Sequence, residues 1–149
     1  MRATAPDRAG LAEIRGPLAR ALLIGLVGAA ILVVVGGVLA STAGLLFVAG
    51  ATGGGIGLAL AGAAVPTPTG ASERPPLERS AATRLAMVLA CLAVLVGAFG
   101  TWLVAIAEGG ALGPIDYLWQ TFGPLVPAEL LVAALGAAWG ARAGPVVGR

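Results

Sequence analysis

Histidine and lysine are absent from the chain, cysteine occurs once, and charge is scarce, at 11% of residues. Without histidine, and with Cys91 alone in the middle of an apolar run, Cys/His metal sites and internal disulfides are excluded. Cys91 reads as a small packing residue. No nucleophile stands beside a base and no acid pair lies inside an apolar run, so the chain is expected to be neither an enzyme nor a cofactor carrier. The net charge of +2 is small and is explained by the placement of arginines described below, so nucleic acid is not an expected partner.

What is present is apolar. At 58% hydrophobic residues and a mean hydropathy of +0.98, the 149 residues are too greasy for a soluble domain. The apolar residues gather into four runs, 21–40, 45–65, 85–107 and 125–141, each close to the roughly 20 residues a helix needs to cross a hydrocarbon core. The runs lack period-two alternation, which excludes a β-barrel. The expected fold is an all-α integral membrane protein, one domain of four transmembrane helices in two hairpins. A short break at 41–44 turns the first hairpin, and the proline-rich linker 66–83 ties it to the second. Pro76 followed by Glu78 suits the first turn of a helix running into the third span, which would end the linker before Leu77.

The basic residues, all arginine, set the orientation. Arg2, Arg8, Arg15 and Arg20 precede the first run, Arg74, Arg79 and Arg84 lie between the second and third, and Arg142 and Arg149 follow the fourth. With four spans these segments share one side, and the positive-inside rule makes it cytoplasmic: a multi-pass cell-membrane protein with both termini inside. The competing reading is a signal peptide cleaved after Ala40, which would leave three spans.

Two patterns carry the functional expectations. In the second run Gly50 and Gly54, and Gly53 and Gly57, recur four apart and form a flat strip, with Gly136 and Gly140 offering a counterpart in the fourth. Close helix packing is the main reading of this pattern; a break at Gly53-Gly54-Gly55 that exposes carbonyls is the alternative. On the side without arginine, Glu108, Asp116 and Glu129 are the only acids, and with Tyr117 and Gln120 they form a candidate cation or substrate site. Helix N-termini also account for Asp116 and Glu129, and Gly109-Gly110 for a span end beside Glu108. The stretch 114–122, bounded by Gly113-Pro114 and Gly123-Pro124, predicts a two-turn interfacial helix with Ile115, Leu118, Trp119 and Phe122 as its apolar stripe.

The function expected on these grounds is that of a non-catalytic accessory, assembly or structural subunit. Its partners would be the lipid bilayer and either further copies of itself or a larger membrane complex. The alternative is a small oligomeric transporter or channel for a cation or small solute.

Overall fold

The computed structural model of the chain describes residues 8–37, 39, 41–62 and 78–144, with side chains from residue 14 onward. Five helices and no strand form among the described residues: α1 (Arg8–Gly37), α2 (Thr42–Ala61), α3 (Arg79–Ala107), α4 (Pro114–Phe122) and α5 (Leu125–Ala143). Four of them are long and apolar enough to cross a membrane, α1 doing so over Ile14–Gly37. Most of the linker, together with Arg2, Arg74 and Arg149, lies outside the described residues.

Local chemistry sets the helix ends. Ser41, in extended conformation, caps α2 by accepting a hydrogen bond at Oγ from the Gly44 amide at 3.2 Å. α3 ends in a Schellman motif: Gly109 takes φ 96°, its amide donates to the Ile106 carbonyl at 3.0 Å, and the Gly110 amide donates to that of Ala105 at 2.8 Å. At its other end, α3 starts at Arg79, with Glu78 in an extended cap position rather than inside the first turn. α2 runs unbroken through Gly53-Gly54-Gly55, so the carbonyls there remain within the helix.

The glycines show why. A methyl group built on Gly53 would run into the carbonyl of Ala133, one on Gly57 into that of Ala137, and ones on Gly136 and Gly140 into those of Gly50 and Gly54. Backbone meets backbone along this line, and α2 with α5 forms the most extensive interhelical contact in the bundle. Dispersion over that surface compensates for the poor helix propensity of three successive glycines.

The same contacts fix the helix directions. Numbers rise together from Gly53–Ala133 to Gly57–Ala137, so α2 and α5 are parallel. They also rise together from Gly25–Ala93 to Gly97–Leu32 and Gly100–Val33, so α1 and α3 are parallel. They run oppositely between α1 and α2, where Gly28 meets Thr52 and Gly44 meets Val35. The described arginines therefore gather at one end of the bundle: Arg8, Arg15 and Arg20 low in α1, Arg79 and Arg84 at the start of α3, and Arg142 at the end of α5. The core between the helices is built mostly of alanine, with Leu32, Leu45, Ile56, Leu60 and Val94 as its bulkier members.

Candidate functional site

Of the three carboxylates on the arginine-free side, only Glu129 enters the bundle. α5 begins at Leu125, which makes Glu129 its fifth residue and sets it about 6 Å along the helix axis, beyond the first turn where the helix dipole acts. A helix N-terminus therefore does not account for it. The residue is only 4% exposed, and no side chain among the described residues forms an ion pair or hydrogen bond with it.

Glu129 lines a cavity of about 10 Å³ together with Leu32 of α1, Leu45 of α2, Gly97, Ala98 and Thr101 of α3, Phe122 of α4 and Val126 of α5. That is room for one water-sized body at most. Thr101, 3% exposed, is the other polar side chain there; its hydroxyl donates to the Ala98 carbonyl at 2.7 Å. Every helix of the bundle thus contributes a wall to the space beside one acid.

Above this cavity, toward the arginine-free end, lies a wider and open one of about 530 Å³, lined by Gly36, Thr42, Leu45, Thr121, Phe122, Pro124, Leu125 and Ala128. Leu45 and Phe122 line both spaces and form the partition between them. Phe122 reaches this position because α4 stops at Gly123, whose φ of 52° and ψ of −125° turn the chain sharply into α5. Its ring packs against the core, near Gly36, and meets Tyr117 edge-on at a centroid distance of 6.2 Å.

The other candidate residues lie elsewhere. Glu108 and Asp116 are exposed, the latter in the first turn of α4, where its charge suits the helix N-terminus. Tyr117 and Gln120 come together at a separate crevice, with Trp102, Ile106 and Leu112 among its walls; the Trp102 indole there donates to the Leu112 carbonyl at 2.9 Å. Among the described residues no three acids, cysteines or histidines converge as a metal site. Cys91 is half-buried and its thiol approaches the Leu130 carbonyl at 3.9 Å, a packing contact between α3 and α5.

Two members of the Glu129 site escaped sequence reasoning. Thr101 is a polar residue inside an apolar run, a weak signal because such hydroxyls commonly bond their own helix. Phe122 was legible only as part of an interfacial stripe. Compared with protein-family models, curated proteins and solved structures, the chain matches none.

Proposed function

We propose that the chain is a small membrane transport protein for a cation, with Glu129 as its cation-binding group. The observation that carries this reading is a glutamate only 4% exposed and walled by five helices, its carboxyl without a partner among the described side chains, beneath an open vestibule. An ionised acid in such surroundings is costly unless a cation neutralises it, and inside membrane helices acids of this kind mark ion or proton routes. The protein sits in the cell membrane as two hairpins, with both termini and the arginines on the cytoplasmic side, and the vestibule opens outward. α4 rests in the outer interface, with Tyr117 and Trp119 at headgroup level; Trp102 and Trp139 join the aromatic belts.

The glycine strips also bear on the choice between subunit and transporter. Those of α2 and α5 are consumed within one chain, so they do not present the surface that an assembly subunit would use. The transport reading is tested with the full chain reconstituted in liposomes under imposed ion and pH gradients. Wild-type protein is expected to conduct a cation, Glu129→Gln to abolish the flux, and Asp116→Asn, exposed and outside the cavity, to leave it intact. Absence of flux from wild-type protein under every gradient would reject it.

A further inference from the structure

The proposal that Glu129 binds a cation leaves the cation open, and the chemistry of the cavity narrows it. Its side-chain oxygens are those of Glu129 and Thr101; Leu32, Leu45, Phe122 and Val126 are apolar, and Gly97 and Ala98 contribute helical backbone. A hard divalent ion needs six or more oxygens, and a single carboxylate balances only one positive charge. An alkali ion would exchange its hydration shell for two oxygens in a space of about 10 Å³. A proton needs one bond.

The hydrogen-bond inventory agrees. The Thr101 hydroxyl has committed its hydrogen to the Ala98 carbonyl, so its oxygen offers only lone pairs to the cavity. A protonated Glu129 brings an O–H that can use such an acceptor; a bare carboxylate finds no side-chain donor among the lining residues other than the Thr101 hydroxyl, which is engaged with Ala98. Among the described residues, those that line the cavity beside the acid do not titrate: Leu32 from α1, Leu45 from α2, Gly97, Ala98 and Thr101 from α3, Phe122 from α4 and Val126 from α5.

We infer that Glu129 is a proton-binding group, loaded from vestibule water past the Leu45–Phe122 partition, with Thr101 accepting the hydrogen of the neutral acid. In loading, a hydronium ion that has passed the partition into the cavity transfers a proton to a Glu129 oxygen: one hydronium O–H bond breaks, a carboxyl O–H bond forms, and one water is released. This step rests on the transport reading for its purpose but is measurable without transport.

The test is infrared difference spectroscopy of the full chain in lipid, stepped through the pH range over which circular dichroism shows it helical. The expected result is a carboxylic-acid carbonyl band that gives way to carboxylate bands as pH rises, lost in Glu129→Gln and kept in Asp116→Asn. Thr101→Val should shift its frequency and Thr101→Ser restore it, and exchanging choline for sodium at fixed pH should leave it unmoved. If Glu129→Gln does not fold, Glu129→Asp must displace the band. A band that sodium abolishes, or no titrating band assignable to Glu129, would overturn the proton assignment. Sodium-dependent loss together with Glu129-dependent sodium flux would retain transport while rejecting the proton. A pH-dependent band without flux would do the reverse.

Discussion

Gly53 and Gly54 are neighbours in one helix, yet they should respond oppositely to an added methyl group. At Gly53 the new carbon meets the backbone carbonyl of Ala133, which cannot rotate aside; at Gly54 the nearest atom, the Gly136 carbonyl oxygen, is 3.9 Å away, an ordinary contact. Overpacking of this kind costs about 1–3 kcal/mol, whereas replacing a helical glycine by alanine gains about 1 kcal/mol in water. Gly53→Ala is therefore expected to destabilise the bundle, and Gly54→Ala to leave it unchanged or slightly firmer. Unfolding in a mild-to-harsh detergent series, followed by circular dichroism, reads the difference; equal behaviour of the two variants would contradict the α2–α5 register. The four-residue spacing was visible in the sequence, and Gly53 and Gly57, Gly136 and Gly140 lie against the backbone of the opposite helix. Which glycines meet backbone depends on the rotation of α2 against α5, and no spacing rule contains that. Glu129 illustrates the same limit. In sequence it resembles Asp116, an acid soon after a helix start, and only the convergence of α1, α2 and α3 around it separates a buried group from an exposed one.

At the scale of the element, α4 was the most legible part of the chain. The Gly-Pro pairs delimited it, and it forms over Pro114–Phe122 as expected. Its stripe, however, divides: Ile115 and Trp119 are 80% and 70% exposed, whereas Phe122 turns into the bundle. A stripe on so short a helix does not have one destination, because the chain direction after Gly123 decides where its last residue goes. That direction rests on a backbone conformation open mainly to glycine, and Gly123→Ala is expected to cost about 1–3 kcal/mol. It should also loosen the Leu45–Phe122 partition, so that Glu129 reacts faster with an apolar carbodiimide, measured by intact mass. An unchanged rate would mean that Phe122 does not restrict access. The outward half of the stripe has its own readout. In a chain carrying Trp102→Phe and Trp139→Phe, fluorescence of Trp119 should be quenched more by lipids brominated near the headgroup than by lipids brominated at the chain end. The opposite order would place α4 deep in the bilayer rather than at its surface.

Across the whole molecule, the packing register gathers the described arginines at one end of the bundle. The parallel pairs α1–α3 and α2–α5 and the antiparallel pair α1–α2 make successive long helices alternate in direction, as read from the contacts at their glycines. Helix boundaries were less legible: α1 begins at Arg8 and α3 at Arg79, because arginine and alanine sustain a helix past the point where its hydropathy falls. The register brings Ser80 and Asp116 to opposite ends of the bundle, both exposed. In a Cys91→Ser background that removes the native thiol, Ser80→Cys and Asp116→Cys give two single-cysteine proteins. A membrane-impermeant maleimide added to intact cells should label the second and not the first, and both should label after permeabilisation. Labelling of Ser80→Cys alone would invert the protein and turn the Glu129 vestibule toward the cytoplasm. Labelling of both in intact cells would break the four-span alternation itself, and with it the assignment of one end of the bundle as the proton's side of entry.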